Sequence, residues 1–231
     1  MKILLTNDDG IDAPGLEALA ASARCLGGDL VVAAPAEPHS GCGHRVTTDR
    51  PLAVDEMAPG RFRVAGTPAD CVRLALARLV PDAAVVISGI NAGGNLGADI
   101  HHSGTVAAAR EAALHGRVAV AASHYHRRGS VIDWQRAADW LTAVLRGLEH
   151  DGLDAGPGAF WNVNLPDLPA DAPRPPIVEC AVDPSPFLLG YRQDAEGWHY
   201  DASYHDRPRV TGGDVEVCFA GGIAVSRVRV V

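Results

Sequence analysis

Apolar positions fall along this chain in two alternating rhythms, short continuous runs and longer stretches at helical spacing. The first run, Ile3 to Thr6, ends in Asn7-Asp8-Asp9-Gly10 and is followed by Leu16, Leu19, Ala23 and Leu26, the spacing of one helix face. Asp12 is the expected N-cap of that helix, Pro14 suits its first turn, and Gly27-Gly28 close it before a second run, Leu30 to Ala34. Residues 2 to 34 thus read as strand, helix, strand.

A polar loop, Ala36 to His44, comes next, and alternating stretches at Val46 to Val54 and Phe62 to Val64 predict a small antiparallel excursion. Thr67-Pro68-Ala-Asp70 opens a further helix, with Thr67 as cap, Pro68 at the first position and Asp70 three residues after the cap. Ala83 to Ser88 has the unbroken apolar character of a central parallel strand and opens into a long loop, Gly89 to Thr105. A helix from about Thr105 to His115, a strand from Val118 to Ser123 and a helix with Trp134, Ala138, Leu141, Leu145 and Leu148 on one face follow. The alternation specifies an α/β fold with a parallel sheet. Beyond about residue 150 it breaks into Pro- and Gly-rich pieces: a strand near Phe160 to Leu165, an apolar stretch from Ile177 to Val182, and two runs, Phe187 to Gln193 and Trp198 to Ser203, that form an aromatic hairpin. Such a hairpin serves as an oligomer contact or packs on its own domain.

Charge narrows the chemistry. Acidic residues exceed basic ones by 28 to 20, for a net charge of −8, so a duplex nucleic acid is not an expected partner. A small anionic substrate needs local help from a metal, a helix N-terminus or arginines. Lys2 is the only lysine, which removes Walker-type phosphate loops and Schiff-base chemistry together. The five cysteines are scattered without a C-x-x-C pair, which leaves buried free thiols. The first residues turn acidic too soon for a signal peptide or membrane anchor, so the expected location is cytoplasmic, with no membrane partner.

In an open parallel sheet, ligands sit at the carboxyl ends of the strands, so Asn7-Asp8-Asp9 and the loop from Gly89 to Thr105 should border one crevice. Adjacent carboxylates without a nearby cation repel each other unless a metal bridges them, and hard oxygen ligands suit Mg²⁺ or Mn²⁺. The alternative is one Asp capping the first helix and the other solvated. Ser40 and Asn91, on loops at the same sheet edge, could complete the shell. Gly93-Gly94-Asn95-Leu96-Gly97 and Ser103-Gly104-Thr105 offer backbone N–H groups, hydroxyls and a helix dipole to a phosphate; the bland alternative is a surface loop with a cap at Ser103 or Thr105. His39, His44, His101 and His102 have no zinc spacing, and no catalytic role is assigned to them.

These segments together resemble the survival protein E (SurE) family of nucleotidases. The matching stretches are Ile3-Leu-Leu-Thr-Asn-Asp-Asp-Gly-Ile11 with Ala13-Pro-Gly15, Ser40-Gly41, Gly66-Thr-Pro-Ala-Asp-Cys-Val72, Ser88-Gly-Ile-Asn-Ala-Gly-Gly-Asn-Leu-Gly97 and Ser103-Gly-Thr-Val-Ala-Ala-Ala109. The resemblance is dense over residues 1 to about 125, touches Asn162 to Pro166, and returns faintly from Gly213 to Val228. It implies a Rossmann-like three-layer sandwich with a mostly parallel sheet: a phosphatase core over residues 1–165, and an extension over 166–231. That extension carries the β-hairpin (about 187–203) for dimer or tetramer assembly and a final strand returning to the core. It further implies hydrolysis of nucleoside 5′- and 3′-monophosphates to nucleoside and phosphate, a 5′-nucleotidase activity; some relatives also shorten polyphosphate.

Carried over by position, the ligands of one divalent ion per subunit, Mg²⁺, Mn²⁺ or Co²⁺, fall on Asp8, Asp9, Ser40 and Asn91. Catalysis is expected from Asp8, Asp9 and Asn91, and phosphate binding from Asn95, Ser103, Gly104 and Thr105. The chain departs from the family pattern at His39, at Cys42 to Arg45 and at His101-His102. Two rivals remain. A receiver-type signalling domain needs a phosphoacceptor Asp and a lysine, which the corresponding strand end, Ser88 to Asn91, does not supply; a nucleotide-binding protein without turnover would keep the fold and the ligands.

Overall fold

The computed structural model describes residues 1–230. In chain order, the first half runs β1 (Lys2–Thr6), α1 (Pro14–Ala23), β2 (Asp29–Pro35), β3 (Val54–Ala58), β4 (Arg61–Val64), α2 (Pro68–Leu74), β5 (Ala83–Ala92) and α3 (Gly104–Leu114). The second half runs β6 (Val118–His124), α4 (Trp134–Asp151), β7 (Ala159–Leu165), β8 (Ile177–Glu179), β9 (Tyr191–Asp194), β10 (Gly197–Tyr200), α5 (Asp214–Phe219) and β11 (Ile223–Arg229). Nine strands form one sheet in the order β3-β4-β2-β1-β5-β6-β7-β11-β8, and β9 pairs with β10 in a separate antiparallel hairpin. Pairing in the large sheet is parallel except at β3–β4 and β7–β11. The fold is therefore α/β with a mostly parallel sheet.

Side-chain alternation along the strands builds two cores. Ile3 and Leu5 of β1, Val85 and Ile87 of β5, and Val120 of β6 meet Leu16 and Leu19 of α1 and Leu141 and Leu145 of α4 on one face. Leu4, Val86, Ala119 and Phe160 point the other way, against Val72 of α2 and Val106 and Ala109 of α3. Strands buried on both faces need apolar residues at every position, which is why these runs read as continuous. No helix among the described residues is long and apolar enough to cross a membrane.

The chain leaves β1 to α1 on one face and β5 to α3 on the other, with β1 and β5 adjacent. This is a topological switch point, and a crevice opens at the carboxyl ends of the two strands. Close approach sets one residue here: Gly89 has φ +136°, and a Cβ on it would lie 2.2 Å from the Ala122 carbonyl oxygen of β6.

Several local expectations change. Ala13, not Asp12, caps α1, with no side-chain hydrogen bond; Asp12 instead accepts from Arg63 Nη2 at 3.2 Å. Strand β5 does not end at Ser88 but continues to Ala92 through a register shift between Ser88 and Asn91, so Asn91 stands on a strand end rather than a loop. The excursion begins at Val54, not Val46, because Thr47 is drawn off to Asp70. The hairpin strands are shorter than expected, and Phe187 to Gly190 lie in irregular chain before β9.

Candidate functional site

The site is built from four chain segments. Asp8 and Asp9 follow β1, Ser40 sits in the turn after β2, Asn91 is the next-to-last residue of β5, and Ser103 precedes α3. A cleft of about 300 Å³ is lined by these five residues together with Gly41, Ala92, Gly94, Asn95, Asp99, His102, Phe187 and Tyr204. The four residues expected to hold a metal and two of those expected at the phosphate, Asn95 and Ser103, thus share one cavity.

Asp8 is 5% exposed and accepts a short hydrogen bond from the Thr105 hydroxyl. Burial pushes its carboxyl up to about 6, against the lowering effect of Thr105, and the charge of Asp9 adds to the rise. Asp9 Oδ2 accepts from the Ala92 N–H at 3.1 Å, and burial raises its carboxyl as well. Neither carboxylate forms an ion pair among the described residues. Two adjacent, partly desolvated acids without a counter-charge are costly unless a cation enters, so the donor set fits a hard divalent ion. Asn91 Nδ2 donates to Gly93 O at 2.9 Å, which leaves its amide oxygen as the available ligand atom. No cluster of three His, Cys, Asp or Glu side chains suited to a metal occurs among the described residues; the site would rely on two carboxylates and neutral oxygens, as hard cations accept.

The phosphate side differs in detail from the sequence expectation. In the glycine loop the N–H groups of Gly93, Asn95, Leu96 and Gly97 are already engaged, whereas that of Gly94, which lines the cleft, is not. Gly93 N donates to His124 O at 3.0 Å, Asn95 N to Asn164 Oδ1 at 2.8 Å, Leu96 N to Asp99 Oδ2 at 3.3 Å and Gly97 N to Asp214 Oδ2 at 3.0 Å. Its glycines instead admit the C-terminal segment, since a Cβ on Gly94 would lie 3.3 Å from Tyr204 Oη and one on Gly97 3.2 Å from Arg207 Nη2. Asn95 Nδ2 is held by Ser123 Oγ at 2.7 Å. Ser103 caps α3 by accepting from Val106 N at 3.1 Å and also borders the cleft. Thr105 is fully buried and reaches Asp8, so its hydroxyl orients that carboxylate.

Gly104 marks the tightest approach. A Cβ there would fall 2.8 Å from Asp8 Cβ and 3.0 Å from Cys42 Sγ. Gly104→Ala is expected to displace Asp8 and reduce the phosphatase activity that the sequence resemblance implies about 10- to 100-fold, while circular dichroism stays that of the parent. An unchanged rate would show that the Asp8 position is not critical.

Besides Gly41, Ala92 and Gly94, four cleft residues have no role assigned from the sequence. His102 has no ligand spacing, and its one sequence signal is its place beside Ser103. Asp99, Phe187 and Tyr204 carry no local signal. Tyr204 Oη donates to Asp99 Oδ2 at 2.6 Å, Arg207 Nη1 does the same at 2.6 Å, and Arg207 Nη2 donates to Leu96 O at 3.2 Å. These contacts fasten the segment after the hairpin to the rim of the cleft. His39 contributes its backbone N–H to Asp8 O at 2.7 Å, while His44 and His115 contact Glu111 at 2.6 and 2.9 Å, away from the cleft lining.

Comparison with known proteins gives consistent results. The family model described as survival protein SurE matches residues 3–181. A putative 5′-nucleotidase of Nostoc sp. is 49% identical over 230 residues, 100% of each chain, and one of Synechocystis sp. is 46% identical over the same span. A protein of Rhizorhabdus wittichii named 5′-nucleotidase SurE is 45% identical over 173 residues, 72% of this chain and 66% of that one. The crystal structure of the SurE protein from Aquifex aeolicus superposes with a TM-score of 0.85 at 28% identity, covering 100% of this chain and 94% of that chain.

Proposed function

Because the chain belongs to the SurE family, we propose that it is a divalent-metal-dependent phosphomonoesterase that hydrolyses nucleoside 5′- and 3′-monophosphates to nucleoside and phosphate. The observation that carries this is the adjacent pair Asp8 and Asp9, without ion-pair partners, in one cleft with Ser40, Asn91 and the start of α3.

Asp8, Asp9, Ser40 and Asn91 would hold one Mg²⁺, Mn²⁺ or Co²⁺, which when bound neutralises phosphate oxygens and charge on the leaving oxygen. The chain's own residues supply position. Thr105 orients Asp8, the Ala92 N–H orients Asp9, and the carbonyl of Gly93 turns the Asn91 amide so that its oxygen is free. Ser103, at the N-terminus of the 11-residue helix α3, faces the phosphate with the positive end of the helix dipole. The exposed side chains of Leu189, Tyr191, Trp198 and Tyr200 support assembly into a homodimer or homotetramer through the hairpin arm.

Phosphate release from a panel of nucleoside 5′- and 3′-monophosphates, with polyphosphate included, tests the proposal. After chelation the rate is expected to fall to background, and Mg²⁺, Mn²⁺ or Co²⁺ should restore it. Release that persists through exhaustive chelation would remove the metal. No release with any metal, from a folded sample, would leave a nucleotide-binding protein without turnover.

A further inference from the structure

The cleft that holds Asp8 and Asp9 is also bordered by rings: Phe187, His102 and Tyr204. Phe187 is 36% exposed, although it is a large apolar residue beside a polar pocket. Its ring centroid lies 5.2 Å from that of His102, tilted by 43°. The Arg207 guanidinium lies 5.7 Å from the Phe187 ring and 5.0 Å from the Tyr204 ring. Arg207 is itself buried and held by Asp99 and the Leu96 carbonyl. The Phe187 ring is thereby backed by a fixed cation while part of its surface stays open to the cleft.

We infer that Phe187, flanked by His102, is the platform on which the base of the substrate stacks, making the enzyme selective for nucleoside monophosphates over other phosphomonoesters. This rests on the proposed phosphatase activity and adds its leaving-group preference. A base presents a flat π-face that an aromatic side chain binds with little regard to base identity, so the platform selects the class of leaving group rather than one base. His102 and Arg207 cover only part of the Phe187 ring, and stacking of a base removes the remaining apolar area from water.

A rival platform lies in a second hollow that shares Asp9 and Ala92 with the cleft. This hollow, of about 470 Å³, is lined by Asp9, Asp12, Pro14, Ala92 and Trp134. Trp134 is packed against the α1–α4 core, and a Cβ on Gly15 would lie 3.0 Å from its ring, so that ring has a structural role. The hollow also presents two acids, Asp9 and Asp12, and lies away from Ser103 and the start of α3. Phe187 shares its cavity with those phosphate-side groups.

Steady-state kinetics on a nucleoside 5′-monophosphate and on ribose 5-phosphate, which has the same phosphate and sugar without a base, separate the possibilities. Phe187→Ala is expected to raise KM for the nucleotide about 10- to 100-fold. In the same variant kcat and the KM for ribose 5-phosphate should move less than about 3-fold, and Phe187→Trp should retain the wild-type preference. Equal effects on both substrates, no effect on either, or loss of the preference in Trp134→Ala instead would overturn the inference while leaving the phosphatase intact. A wild-type protein that releases phosphate from neither substrate overturns the proposed function and this inference with it.

Discussion

Asp9→Asn is expected to lower metal-restored phosphate release by more than about 100-fold without lowering the melting temperature of the chelated protein. Removing a group that only supports a metal ligand costs about 10- to 100-fold, and Asp9 is expected to be a ligand itself. The stability side follows from electrostatics. Burial raises both carboxylates, and the charge of Asp9 raises Asp8 further; an amide at position 9 relieves that repulsion and can still accept from the Ala92 N–H, the bond now made by Asp9. Catalytic sites commonly hold such locally unfavourable arrangements for function. The measurement is a melting curve with and without Mn²⁺ beside the rate assay. Binding to the folded state raises the wild-type melting temperature by mass action, and the variant should lose most of that rise. A variant that keeps its rate within a few-fold would remove Asp9 from the chemistry.

How much of this was legible in the sequence depends on how local the determinant is. The strand-helix alternation was readable because each element of the core encodes its own period: Ile3 to Thr6 and Ala83 to Ile87 are unbroken apolar runs, and the α4 face repeats from Trp134 to Leu148. The Thr67–Asp70 capping box was readable because both partners lie in one turn. Asp8, Asp9, Ser40, Asn91, Asn95 and Ser103 could be gathered because the open parallel sheet places βα loops at one edge, and the structure does bring them to one cleft.

What escaped was long-range. Nothing near Tyr204 or Arg207 in sequence announces Asp99, more than a hundred positions away, yet hydrogen bonds join all three. The glycines from Gly93 to Gly97 have the composition of an anion cradle. In this fold Asn164, Asp99, Asp214 and His124 take four of the loop's five amide protons, all but that of Gly94, and Tyr204 and Arg207 fill the space that missing side chains leave. A glycine run reports that something comes close, and only the tertiary structure says what. Asp12 failed as a cap for a similar reason: Arg63, from β4, claims its carboxylate.

Asp70→Asn is expected to cost about 2–4 kcal/mol of stability, since charged acceptors contribute roughly 1.5–3 kcal/mol per hydrogen bond and do not add fully. Asp70 is 2% exposed and accepts from Thr47 N and Oγ1, each at 2.7 Å, and from Thr67 N at 2.9 Å. Burial alone would raise its carboxyl, but these donors outweigh it and hold the group below the ordinary carboxylate range. A carboxyl depressed in the folded state stabilises above its unfolded pKa of about 4 and loses that contribution as pH falls through the folded value. The gap in unfolding free energy between wild type and Asp70→Asn should therefore be level from neutral pH down to about 5 and narrow steadily below about 4. Denaturant melts across that range measure it, and a gap that instead widens on acidification would contradict the assignment. The effect should also reach the cleft. Thr67 Oγ1 donates to Arg45 O at 2.6 Å, so this cap anchors the chain that runs back through Gly43, bonded to His102 O, to Ser40. If Ser40 is a ligand as proposed, loosening it should weaken metal affinity more than it changes kcat at saturating metal, because Ser40 stands on a loop whereas Asp8, Asp9 and Asn91 stand on or beside β1 and β5.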